Sequence, residues 1–335
     1  MRALQLDFDS RRLAVSDHAE PAAPKPGQVR LRLLECGVCG TDRGIADFEF
    51  GAPPPGERNL ILGHEAVGIV DTPGDTLVKG QLVVPMVRRA CATGCAMCRR
   101  GRRDNCLTGD YAERGIFSLH GYLCDFAVDA EEDLVAVPAA LAGAAVLVEP
   151  ASVVEKAWEL ALRLHPGEPR RVLVLGAGPI GILAAWCALR NGFAVTVLSQ
   201  EAEDAPRARL LTRNGAVYTR SLDGVEADII LEACGSAAVA MAAMGSLRRL
   251  GVLILLGARP AEVRLPSLDM IIGNSIIAGS VNASRGHFEM AVRRLLSYDR
   301  QWLEPLLVRL PLAAAPDTLR QPPLNAIKVV HRISD

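Results

Sequence analysis

The run Val172-Leu-Val-Leu175 leads directly into Gly176-Ala-Gly178-Pro-Ile-Gly181 and then into a helical pattern over Ile180–Arg190. A GxGxxG run is weak evidence alone, but between a short apolar strand and a helix it constrains everything built around it. Gly176 supplies a tight turn and Gly178 lets the backbone approach a pyrophosphate. Gly181 lets the helix lie close to the strand with its N-terminus toward the phosphates. The competing reading is a glycine-rich turn in an ordinary α/β domain. Gly176, Gly178, Pro179, Ile180 and Gly181 are thus candidate cofactor-binding residues. About 20 residues further on, where ribose recognition is expected, stands Leu198-Ser199-Gln200-Glu201. Glu201 is suited to the two ribose hydroxyls and favours NAD over NADP. Gln200 is neutral between them, and Arg207 and Arg209 are placed for a 2′-phosphate.

Around this loop, strand and helix patterns alternate. Apolar residues recur at helical spacing over Ser152–Leu164, and Pro206–Asn214 reads as a second helix. Ala194–Leu198, Asp228–Leu231 and Val252–Leu256 read as strands. This alternation predicts a doubly wound parallel sheet. The first third differs. Val29–Cys36, Glu65–Val70, Gln81–Val84 and Tyr122–Val128 alternate apolar with polar residues between Pro- and Gly-rich turns, which predicts a barrel-like β domain. A last helix is expected over His287–Ser297 and a closing strand over Ile327–Ile333. Two domains suit the 335 residues.

Half of the residues are hydrophobic and 22% are charged, which excludes global disorder. The formal net charge of -1 argues against binding nucleic acid through bulk charge. No secretory leader is legible at Met1–Asp7, and glycines interrupt the uncharged stretch Val172–Leu189, so a membrane span is not expected. A cytoplasmic protein is the expectation.

The nine cysteines sharpen the functional reading. Cys91, Cys95, Cys98 and Cys106 have the spacing C-x3-C-x2-C-x7-C, which suits a closed, structural zinc site of four thiolates. The interleaved Arg88, Arg89, Arg99, Arg100, Arg102 and Arg103 are placed to offset its charge. A looser set, Cys39, His64, Glu65 and Glu149, offers one thiolate, one imidazole and carboxylates, the donors of a catalytic zinc with an exchangeable position. Cys36, Cys124, Cys187 and Cys234 fall in apolar patterns and read as small core residues.

These pieces together resemble the zinc-dependent medium-chain dehydrogenase/reductase superfamily: CGVCGTD (36–42), GHEAVG (63–68), the four-cysteine lobe and GAGPIG (176–181). VPMVRR (84–89), TGDYAERGI (108–116), VEPASVVEKAWE (148–159), GSVNASRGHFEMA (279–291) and IKVV (327–330) look most like its glucose dehydrogenase branch. The resemblance implies an α/β chain. A GroES-like β-barrel catalytic domain would comprise 1–150 and 287–335, with a zinc lobe at 88–107. A Rossmann domain would occupy 151–286. It implies zinc- and NAD(P)-dependent oxidation of a sugar hydroxyl, an aldose such as glucose at C1. The alternatives are a polyol, amino-polyol or secondary-alcohol substrate, or a nucleotide- and metal-binding protein without turnover. Cys39, His64 and Glu65 would hold the catalytic zinc, with Glu149 a further ligand or bound through water. Thr41 would hydrogen-bond the reacting hydroxyl and Asp42 would orient His64. Glu113 and His287 would touch sugar hydroxyls, and Val281 and Asn282 would lie beside the nicotinamide. For Glu113 a solvated loop carboxylate, and for His287 capping or surface exposure, are the structural alternatives. Gly44 stands where alcohol-oxidising relatives often carry a proton-relay histidine, and Val87 where some sugar-specific relatives have a polar residue. A homodimer or homotetramer is implied, paired through an edge of the Rossmann sheet by the apolar Met270–Ala278 stretch.

Overall fold

The computed structural model describes residues 1–257, 262 and 264–334. The chain forms two compact units, Met1–Ser152 with Asn282–Asp335, and Val153–Val281.

The first unit is built on a seven-stranded sheet. Its path runs Leu134–Ala136, Leu82–Pro85, Glu65–Thr72, Gln28–Val38, Lys328–Arg332, Leu307–Pro311, and Phe126–Ala130 also pairs with Gln28–Val38. The Gln28–Val38 strand alternates buried and half-buried positions to Leu34, then is wholly buried from Glu35 onward. That change of pattern coincides with a register shift between Leu33 and Glu35 against the Glu65–Thr72 strand. The shift sets Gly37 opposite Glu65 and brings the Cys39 end of one strand beside the His64 end of the other. Lys328–Arg332 lies antiparallel to Gln28–Val38, with Val329 opposite Val38. A three-stranded sheet, Arg12–Asp17, Arg2–Asp7 and Asn59–Ile61, packs Leu4, Leu6, Leu13 and Leu60 into the same core. The Leu307–Pro311 strand escapes the sequence pattern because prolines flank it, and its side chains are half-buried rather than alternating.

The second unit is a six-stranded parallel sheet, ordered Val217–Thr219, Ala194–Leu198, Arg171–Leu175, Ala227–Glu232, Leu247–Leu255, Ile276–Gly279. The Ala227–Glu232 strand is buried at every position, as a strand covered on both faces must be. The helix Pro179–Arg190 follows the glycine loop and buries Ile182 through Ala188 continuously. Proline at its first position costs nothing, because that N–H has no partner within the helix. Among the described residues no helix is long and apolar enough to cross a membrane.

Cys36, Cys124 and Cys187 are core residues at 1% exposure or less. Cys234 is not: it is exposed. It lies just beyond the Ala227–Glu232 strand, in a turn whose Cys234 and Gly235 N–H groups both donate to Glu232 Oε1.

Candidate metal and nucleotide sites

Cys39 is the N-cap of the helix Gly40–Ala46. Its thiol accepts from the Thr41 N–H at 3.3 Å, and Asp42 Oδ2 accepts from the Cys39 N–H at 2.9 Å, a reciprocal capping box. The cap therefore locks the thiol and Asp42 side by side. Asp42 is wholly buried, and its Oδ1 lies 3.4 Å from His64 Nδ1. The other ring nitrogen, Nε2, lies 3.4 Å from Cys39 Sγ. Gly63, at φ +94°, turns the chain into His64; a Cβ there would press within 2.8 Å of Cys36 Sγ. Glu65 completes a set with Cys39 and His64 whose donor atoms lie within 4.8 Å of one another.

Two donors at about 2.3 and 2.0 Å from a tetrahedral zinc sit roughly 3.5 Å apart, so the Cys39–His64 spacing fits the ion. Asp42 Oδ1, His64 Nδ1 and Glu65 Oε2 are buried without a hydrogen bond and meet their neighbours as charges, Asp42 with His64 and Glu65 with Lys328. Burial pushes the His64 pKa down, but the Asp42 and Cys39 charges outweigh it and hold the ring well above its ordinary value. A metal on Nε2 would instead require the neutral ring with its proton on Nδ1, toward Asp42, the tautomer that carboxylate favours.

Glu149 stands apart from that set, in the first turn of the helix Val148–Leu164. It is buried, and burial pushes its carboxyl up to about 7. Lys328 is the residue that sequence reasoning missed. It is 2% exposed, ion-pairs with Glu65 and donates to the Val38 carbonyl at 3.1 Å. The available signal was a lysine inside the apolar run Ile327–Ile333.

In the lobe, all four thiol sulfurs of Cys91, Cys95, Cys98 and Cys106 fall within 4.8 Å of one another. Cys95 Sγ and Cys106 Sγ are 3.9 Å apart, close to the roughly 3.8 Å edge of a tetrahedron with zinc–sulfur bonds of about 2.3 Å. The Cys95 N–H donates to Cys91 Sγ and the Leu107 N–H to Cys95 Sγ, as a thiolate cluster requires. Hydrogen bonds led by the Cys95 N–H hold the Cys91 thiol down at about 5. The extra residue in the first gap is taken up in a turn at Gly94, φ +58°.

Four of the six neighbouring arginines that the sequence offered as counter-charge for these thiolates are instead paired with carboxylates. Arg88 pairs with Glu113, Arg89 with Asp129 and Asp133, Arg102 with Asp104, and Arg103 with Asp133. Apart from Asp104, two residues from Arg102, these carboxylates lie 25 or more residues away and were invisible to local spacing. Glu113 is accordingly buried at 6% exposure rather than solvated, and its Oε1 accepts from Arg88 and from Asn282. His287 is buried too. It closes a capping box with Ser284 on the helix Arg285–Leu296, its Nδ1 3.1 Å from the Ser284 N and 3.0 Å from Oγ. Thr41 is half-buried.

In the second unit, Gly176 has φ +103°, and its Cβ would meet Cys234 at 2.9 Å. A Cβ on Gly181 would overlap the Gly176 carbonyl, while above Gly178 the space is open. Those are the three properties that a pyrophosphate cradle needs, so the loop fits a dinucleotide. Gln200 is exposed. Glu201 accepts from Arg207 at 2.9 Å, and the Val281 carbonyl accepts from Lys156 Nζ at 2.8 Å.

Comparison with known proteins agrees with this chemistry. Residues 142–330 match the family model "Glucose dehydrogenase C-terminus" and residues 25–139 match "Alcohol dehydrogenase GroES-like domain". The chain is 42% identical to glucose 1-dehydrogenase 1 of Vulcanisaeta moutnovskia, covering 89% of each chain. It is 38% identical to the glucose 1-dehydrogenase of Methanocella arvoryzae, over 88% of this chain and 87% of that one. The fold superposes on Haloferax mediterranei glucose dehydrogenase, solved with NADP, Zn and gluconolactone, at a TM-score of 0.91 and 30% identity over the full length of both.

Proposed function

The chain belongs to the glucose dehydrogenase family of zinc-dependent medium-chain dehydrogenases, and from that premise we propose that it oxidises an aldose at its C1 hydroxyl, releasing a lactone. That it is a zinc-dependent, nicotinamide-dependent sugar dehydrogenase follows from its family. The observation that carries the finer reading is the Cys39–His64–Glu65 donor set, with the buried carboxylate of Glu113 in the same unit.

Zinc, when bound, supplies Lewis acidity that eases ionisation of a hydroxyl, and the nicotinamide supplies the hydride acceptor. In our reading Cys39 and His64 hold the ion, with Glu65 or Glu149 completing the set. Asp42 fixes the His64 tautomer. Thr41 takes the hydroxyl proton and passes it outward, a role made necessary by Gly44. Glu113 and His287 bind sugar hydroxyls, and Val281, fixed by Lys156, contacts the nicotinamide. A screen of aldoses, polyols and simple alcohols with both cofactors tests the proposal. An aldose giving the highest kcat/KM supports it, and faster turnover of simple alcohols than of every sugar overturns it.

We read the cofactor as NAD. Glu201 supports this, since a carboxylate there binds ribose hydroxyls and repels a 2′-phosphate. Removing it also removes the ion pair that Glu201 makes with Arg207. Glu201→Ala is expected to shift the NAD/NADP ratio of kcat/KM about tenfold toward NADP, ~1.4 kcal/mol; an unchanged ratio points instead to Gln200.

We also propose that copies pair, as a dimer or tetramer, along the edge strand Ile276–Gly279. Leu268, Ile271 and Ile272 of the adjacent helix Ser267–Gly273 are exposed, at 66%, 73% and 57%, an apolar group that a monomer rarely leaves in water. Ile271→Glu with Ile272→Glu is expected to lower the mass seen by analytical ultracentrifugation, and an unchanged mass excludes this edge. The four-thiolate lobe suits a reducing compartment such as the cytoplasm.

A further inference from the structure

Arg88 is 5% exposed and makes three contacts at once. Its Nε donates to Glu113 Oε1 at 2.9 Å, its Nη1 donates to the Asp104 carbonyl at 3.0 Å, and its guanidinium lies over the Tyr111 ring at 3.8 Å. Asp104 sits in the short turn Arg103–Asn105 that delivers Cys106 to the thiolate cluster. The backbones of Arg88 and Glu113 also bridge antiparallel. From the other side, Asn282 Nδ2 donates to the same Glu113 Oε1 at 2.8 Å. A buried carboxylate needs such partners, and here both fall on one oxygen. Among the described residues Oε2 accepts no hydrogen bond, and it is not one of the atoms sealed from solvent.

We propose that Arg88 is a positioning residue: by bridging the zinc lobe to Glu113 Oε1 it aims Glu113 Oε2 at the sugar hydroxyls. This rests on the reading of Glu113 as a sugar contact. The fork of the guanidinium matters, because one planar group meets a carboxylate, a carbonyl and a ring face in fixed directions. A lysine keeps the charge, but its ammonium is a point on a flexible stem without the fixed planar fork. The contribution is to binding geometry at hydroxyls remote from the reacting carbon, so it belongs in sugar KM rather than in kcat.

The test uses the zinc-loaded enzyme and its best aldose, comparing Arg88→Lys, Arg88→Met, Glu113→Gln and the double variant Arg88→Lys/Glu113→Gln. Arg88→Lys is expected to raise the sugar KM about tenfold, to leave kcat within about threefold and to leave the cofactor KM unmoved. Arg88→Met exceeds it, and should that variant not fold, Arg88→Lys carries the test. The double variant is expected to be no worse than Glu113→Gln alone, since both act through one carboxylate. An unmoved sugar KM in Arg88→Lys, or a fall in kcat alone, or strict additivity, overturns the proposal while a raised KM in Glu113→Gln keeps the sugar contact. An unmoved KM in Glu113→Gln removes the sugar contact and the Arg88 proposal together.

Discussion

Cys39→Ser is expected to lower kcat/KM at least about a thousandfold, ~4 kcal/mol of transition-state stabilisation, while leaving a folded chain. Folding survives because serine is among the best N-caps. Its hydroxyl can accept from the Thr41 N–H as the thiol does, and the Asp42 half of the capping box is untouched. Binding does not survive, because a serine hydroxyl stays protonated near neutral pH where a thiol under a cation ionises. Metal analysis should show one zinc per chain in the variant against two in the parent, the lobe ion being retained. His64→Ala should behave alike. Substantial turnover in either variant contradicts the assignment of the catalytic metal, and loss of both ions shows that the two sites are not independent.

Lys328→Met is expected to cost stability of about 3–5 kcal/mol, because it strands the Glu65 carboxylate in a buried site without its cation. The Lys328 ammonium is held protonated by Glu65 against the opposing effect of its own burial. For a unit of this size that loss corresponds to a Tm lower by roughly 10 °C. Calorimetry should be run with zinc chelated, so that no other cation faces Glu65. The double variant Lys328→Met/Glu65→Gln should recover much of the loss, since the uncompensated charge is then gone. A shift below about 2 °C in the single variant would mean that the pair is solvated in solution and carries no structural load.

Much of the fold was legible because its periods are clean. The Gln28–Val38 strand alternates, and the parallel strands of the second unit are short apolar runs between helices. The glycine loop was legible because each glycine answers a separate steric demand. The family resemblance supplied the site residues, and the structure brings Cys39, His64 and Glu65 together while holding Glu149 outside that set. What escaped was pairing at long range. Nothing in local spacing joins Arg88 to Glu113, Arg89 to Asp129 or Lys328 to Glu65, so arginines destined for buried carboxylates read as counter-charge for thiolates. Cys234 escaped for a related reason: an apolar pattern does not reveal where a strand ends and its turn begins.

The Lys328–Arg332 strand lies inside its sheet, between Gln28–Val38 and Leu307–Pro311. On the ribosome it emerges after every residue of the Val153–Val281 unit. The nucleotide-binding unit thus has all its strands while the zinc-bearing sheet still lacks an interior one, and domains fold as units when their chain is available. Until synthesis passes residue 332, the Glu35–Val38 end of the Gln28–Val38 strand lacks the partner that Phe126–Ala130 gives its Gln28–Arg32 end, and Glu65 has no Lys328 beside it. The buried pair of Lys328 with Glu65, a member of the donor set proposed for the catalytic metal, is therefore completed late in the life of the nascent chain.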